Sequence, residues 1–176
     1  MHPKDTPTTM KEIFGNIWND NIDCICITTN GTVLPNGSNI MGGGIAREAA
    51  DRVPGLAKKH GDLINKYGHR FQFLDYWKRP SDKRLINLWA FPSKRTIDVN
   101  SDLDTIEDSL NSLFNIAQAF PSLQWGLPRP GSNLGGLDWY RDVKDLVSLY
   151  VSSSPNITVY HYAQTGVPRD KADIQT

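Results

Sequence analysis

The residues best suited to chemistry in this chain of 176 are glycines, gathered in two short clusters. Gly42, Gly43 and Gly44 run directly into Ile45, and Gly131-Ser132-Asn133-Leu134-Gly135-Gly136 runs into a second apolar-periodic stretch. Each cluster follows a strand-like segment and precedes a helix-like one. Glycine lets main-chain N–H groups approach a ligand closely, and a helix N-terminus adds unsatisfied donors and partial positive charge. Ligands of open α/β sheets settle at the carboxyl ends of the strands. Two such loops there can hold the two phosphates of one diphosphate, through backbone dipoles rather than charged side chains. A single glycine cluster is more often a tight turn; the informative feature is the repetition at equivalent junctions. Gly42-Gly43-Gly44-Ile45-Ala46-Arg47 lacks the third glycine of the dinucleotide fingerprint, and no loop carries the Gly-Lys-Ser/Thr of a P-loop. A standard nicotinamide dehydrogenase and a P-loop nucleotidase are therefore disfavoured.

Other candidate groups carry less. His2, His60, His69 and His161 show neither metal-ligand spacing nor a paired nucleophile, so solvated or structural roles are expected. Cys24 and Cys26 alternate with Ile25 and Ile27 on one face of a strand, which suits core packing better than a metal site. Asn30 is either a ligand group or the turn residue of Asn30-Gly31. Arg129 either supports the second glycine loop or makes a surface ion pair. Lys94, followed by Arg95, places positive charge on a loop. Trp139 reads as a packing residue.

The elements that must position these groups follow from periodicity. Residues 22–29 are β-branched and nearly continuous in apolar character, as in a parallel strand buried on both faces. Further strands are expected at 11–18, 71–77, 84–91, 122–127 and 157–162. Helices are expected at 45–52, from Pro54 to Tyr67 with Gly68 as stop, at 101–119 with Ser101 as cap, and at 138–151. The alternation implies a three-layer α/β/α sandwich around a mixed, mostly parallel sheet. Residues 1–10 read as a flexible arm, 11–163 as one domain and 164–176 as a polar tail.

Nineteen basic and 19 acidic residues cancel, which argues against a broad cationic face for nucleic acid. Hydrophobic residues at 39% suit a packed core. No run reaches the roughly 18 apolar residues of a membrane span, and no leader is visible. A cytoplasmic, monomeric protein without membrane association is expected.

In combination, Gly15-Asn16-Ile17, the segment Asp23 through Asn30, Met41-Gly42-Gly43-Gly44-Ile45-Ala46 and the loop Leu127 through Trp139 resemble the macro domain family, which binds ADP-ribose. Phe91-Pro92-Ser93-Lys94 and the ending Gly-Gly-Leu-x-Trp are similar to the branch that holds terminal ADP-ribose glycohydrolase and the antitoxin that removes ADP-ribose from DNA. The resemblance spans residues 11–162. It implies that Asn16 and Ile17 contact adenine, that Tyr160 or Tyr162 packs on the adenine ring, and that Asn30 meets the distal ribose. It places Gly42, Gly43, Gly44, Ile45, Ser132, Asn133, Leu134, Gly135 and Gly136 around the diphosphate. Lys94 would be the catalytic residue: a deprotonated amine there can attack the anomeric carbon of the distal ribose. No cofactor and no metal are implied.

Two positions depart from the pattern. Asn16 stands where the family commonly has aspartate, and an amide oxygen accepts without charge-assisted strength. Gly135 stands where the protein-directed glycohydrolase has an aspartate, so the antitoxin-like branch is the closer match. The implied activity is hydrolysis of ADP-ribose from a modified protein or nucleic acid. The alternatives are a non-catalytic binder of ADP-ribose or a related nucleotide, and a phosphatase acting on ADP-ribose 1″-phosphate.

Overall fold

The computed structural model describes residues 9–132 and 134–161. Six strands form one sheet: β1 (Glu12–Phe14), β2 (Cys24–Thr29), β3 (Gln72–Lys78), β4 (Leu85–Pro92), β5 (Trp125–Pro128) and β6 (Ile157–His161). Their order is β1-β6-β5-β2-β4-β3. All neighbours are parallel except β3, which runs antiparallel to β4 at one edge. The helices are α1 (Gly44–Arg52), α2 (Leu56–Tyr67), α3 (Leu103–Ala119) and α4 (Lys144–Val151). This is the expected three-layer sandwich on a mixed, mostly parallel sheet.

The central strand β2 shows why. Cys24 and Cys26 face the core shared with α3 and α4, while Ile25 and Ile27 face the core shared with α1 and α2. All four are buried, so this strand lies between two apolar layers and cannot sit at an edge. Burial pushes the Cys24 thiol up to about 12 and raises the Cys26 thiol well above its ordinary value, so both remain uncharged packing groups. At the opposite end from the glycine loops, Asp23 pairs with Arg84 and accepts from the Gln124 N–H at 2.7 Å. It thereby ties together the starts of β2, β4 and β5, away from the carboxyl edge.

Several boundaries differ from the sequence expectation for local reasons. The strand expected over 11–18 stops at Phe14, because the Asn16 side chain accepts from the Trp18 N–H and caps a one-turn 3₁₀ helix, Ile17–Asn19. Asp102, not Ser101, caps α3: its carboxylate accepts from the Thr105 N–H at 2.8 Å and the Thr105 hydroxyl at 2.7 Å. Ser101 is buried instead, its N–H donating to the Gly135 carbonyl. The helix expected from Asp138 begins with a π-helical turn, Trp139–Val143, before α4. Met10 is already buried in the α3/α4 core. Among the described residues, no helix is long and apolar enough to cross a membrane.

Candidate active site

The carboxyl ends of β2, β4 and β5 feed three loops, and hydrogen bonds clip these loops together. The Ser93 and Lys94 N–H groups both point at the Thr29 carbonyl, at 3.0 and 3.3 Å. The Gly31 N–H donates to the Arg95 carbonyl at 3.0 Å, and the Ile97 N–H to the Thr32 hydroxyl at 2.9 Å. Asn30 and Lys94, 64 residues apart in sequence, are thus brought side by side, with Lys94 half-buried. The loop after Lys94 then docks on the second glycine loop through Ser101 N–H to Gly135 carbonyl at 2.9 Å.

The two glycine loops meet each other. Gly43 caps α1 in an extended conformation with no side-chain cap, so the first donors of the helix stay available. A Cβ on Gly43 would come within 2.6 Å of the Leu134 Cδ1, so Leu134 bridges from the second loop to the first. Leu134 is itself 65% exposed, an apolar side chain standing over both loops. A Cβ on Gly135 would strike the Gly131 carbonyl oxygen at 2.6 Å and the Ser101 hydroxyl. Gly44 and Gly136 have φ of +56° and +81°, a region that favours glycine. Ser132 is buried, its hydroxyl donating to the Pro130 carbonyl at 3.1 Å. Ile45 is buried in the first turn of α1, and Gly42 has open space beside it. Asn133 and Tyr162 lie outside the described residues.

The positions expected on the adenine side are already engaged within the protein. Ile17 has no exposed surface, so only its main chain can face a ligand. The Asn16 oxygen already holds the Trp18 N–H at 3.0 Å. Tyr160 is buried, and its hydroxyl donates to Asp20 at 2.6 Å. Burial and that carboxylate raise its pKa well above the ordinary value. Arg129 makes an ion pair, but a largely buried one rather than one at the surface. Its guanidinium donates to Glu12 at 2.6 and 3.0 Å with little exposure, and lies 4.8 Å from the Trp139 ring, bracing the stem of the second loop.

Sequence reasoning missed the group that organises the first loop. Residues 30–41 form a small hairpin, with a Val33–Asn39 bridge and a turn closed by Gly37 N–H to Leu34 carbonyl. Asn39 is buried and donates its amide to the carbonyls of Asn30 and Thr32 at 2.9 and 2.8 Å. His60 from α2 is fully buried and bonds the Asn39 oxygen through Nδ1 at 2.8 Å. The only sequence hint is that Leu56 and His60 share a helix face. Beyond Lys94, a cavity of about 460 Å³ opens between the start of β3 and α3, with His69, Arg95 and Ser109 in its wall.

No protein-family model matches the chain, and no curated protein matches it. Solved structures do. The macrodomain of Mycobacterium tuberculosis DarG superposes with a TM-score of 0.71 at 19% identity, covering 89% of this chain and 99% of that one. The macrodomain of Thermus aquaticus DarG gives 0.68 at 21% identity, over 88% and 97%. Thermosipho africanus DarTG, solved in complex with ADP-ribose, gives 0.70 at 20% identity over 94% of this chain and 45% of that one. The chain has the macro domain fold.

Proposed function

We propose that this protein binds ADP-ribose across the two glycine loops and releases it from a modified target. The observation that carries the reading is the convergence of both loops with Asn30 and Lys94 at one carboxyl edge of the sheet. In this reading the diphosphate lies between α1's uncapped N-terminus and the loop around Gly135, with adenine towards Asn16 and Ile17. The distal ribose then lies over Asn30; the neutral Lys94 amine attacks its anomeric carbon, the bond to the target group breaks as that group takes up the amine's proton, and water hydrolyses the lysine–ribose adduct to free ADP-ribose and regenerate the amine. The likeness to a structure solved with ADP-ribose supports the binding half. Asp102 caps α3 and pairs with Arg95 at 3.3 Å, and Gly135 carries no carboxylate. Lysine chemistry without an aspartate partner is therefore the version these residues support, as in the antitoxin-like branch.

The test is direct. ADP-ribose is expected to bind with about micromolar affinity, roughly −8 kcal/mol, and AMP much more weakly. Incubation with ADP-ribosylated protein and, separately, ADP-ribosylated DNA should release ADP-ribose from one of them. Equal affinity for AMP and ADP-ribose would refute the two-loop site. Binding without release from either substrate would make the protein a reader of ADP-ribose.

A further inference from the structure

The amide of Asn30 has an orientation that its neighbours dictate. Its oxygen accepts from the Thr32 N–H at 3.0 Å and takes a weaker share of the Asn39 amide at 3.3 Å. Its nitrogen donates to the Ile40 carbonyl at 2.9 Å. A backbone N–H can only donate and a carbonyl can only accept, so the amide cannot be flipped. Both oxygen lone pairs are engaged, and one of the two amide hydrogens has no acceptor among the described residues. Asn30 therefore offers a ligand one donor and no acceptor.

Asn39 holds the hairpin that supplies those two backbone partners, its own amide pointing its nitrogen at the Asn30 and Thr32 carbonyls. Its oxygen then faces α2, where His60 Nδ1 meets it. His60 must carry its proton on Nδ1, leaving Nε2 buried without a partner among the described residues. Nothing but this bond gives a fully buried imidazole a polar role at that point. Two further contacts press α2 onto the hairpin: the Asn39 N–H donates to the Ala57 carbonyl at 2.9 Å, and Gly61 sits directly against the Gly37 carbonyl, where no Cβ would fit.

We propose that His60 is a positioning residue: through Asn39 it holds Asn30 as a donor towards an accepting oxygen of the distal ribose. The proposal rests on the ADP-ribose reading above, and its test separates the two. His60→Leu keeps volume and burial but cannot donate to Asn39; His60→Asn places an amide N–H near the position of Nδ1. Calorimetry with ADP-ribose and with AMP, which lacks the distal ribose, reads the difference. His60→Leu should weaken ADP-ribose about tenfold and leave AMP within about twofold, and His60→Asn should recover most of the loss. An equal loss for both ligands, or no loss in a folded His60→Leu, overturns the proposal. Nitrogen-15 NMR of the unaltered protein gives a readout that needs no ligand: His60 should be the neutral Nδ1–H tautomer at pH 7. An Nε2–H tautomer overturns the relay even if ADP-ribose binds; failure of the unaltered protein to bind ADP-ribose overturns the function and the proposal together.

Discussion

Mild acid should destabilise this fold through His60 and His69. His60 is buried beside His69, with ring centroids 6.0 Å apart, and His69 bonds the Thr29 hydroxyl at 2.9 Å. Burial, aided for His60 by the neighbouring His69, lowers both rings from 6.5 to about 4. Between those values the unfolded chain takes up protons that the folded chain refuses, so stability is complete above pH 6.5 and falls as pH drops towards 4. At pH 5 each ring accounts for about 2 kcal/mol of lost stability relative to pH 7.5, or about 4 kcal/mol for the pair. That is a large share of the 5–15 kcal/mol typical of a domain. Urea denaturation at pH 7.5 and 5.0 measures it. His60→Asn, which cannot titrate, should lose about half as much stability over the same interval as the parent. A parent midpoint that does not move between the two pH values, or an undiminished drop when both rings are replaced by asparagine, would refute the reasoning.

Three further outcomes follow from the geometry. Gly43→Ala and Gly135→Ala should differ in melting temperature: the first meets only the movable end of Leu134, the second meets the Gly131 backbone and should cost about 1–3 kcal/mol. Lys94→Ala and Lys94→Arg should both keep ADP-ribose affinity within a few fold and abolish release from the modified target, because the amine acts on the reacting carbon rather than on the diphosphate; full turnover in either variant removes Lys94 from the mechanism. Arg129→Ala should lower the unfolding free energy measured in urea by roughly 1–3 kcal/mol, since it leaves Glu12 half-buried with, among the described residues, only the Lys144 ammonium in ion-pair range, at 4.0 Å.

What the sequence reveals of this protein is what local backbone demands and apolar period record. The two glycine loops are visible because close approach and positive φ leave few residues but glycine, as at Gly44 and Gly136. Strand β2 and helix α3 are visible because both are packed along their full length against apolar layers. The polar links are not visible, because each joins residues far apart in the chain: Tyr160 to Asp20, Asn39 to His60, Arg129 to Glu12. Nothing near His60 in sequence marks it as facing a hairpin 21 residues earlier. The same distance effect bears on the cap of α3: Ser101, expected as the cap, has its main-chain N–H bonded to the distant Gly135 carbonyl, and Asp102 takes the cap position.

The zero net charge and the proposed anionic ligand are compatible at the candidate site itself. Carboxylates around the loops are occupied: Glu48 by the Trp18 indole N–H, Asp138 by the Arg141 N–H, Asp102 by Thr105 and Arg95, Glu12 by Arg129. Donors remain at the uncapped N-terminus of α1 and at the spare amide hydrogen of Asn30. In the proposed reading, such an edge would favour a molecule rich in accepting oxygens without surplus cationic side chains, because fixed main-chain dipoles at a helix start act at short range and require no bulk charge. Affinity for ADP-ribose should accordingly fall only modestly between 50 and 500 mM salt, in contrast to a site built from exposed lysines and arginines. A tenfold or greater loss of affinity over that range would mean that mobile cationic side chains, not the glycine loops, hold the diphosphate.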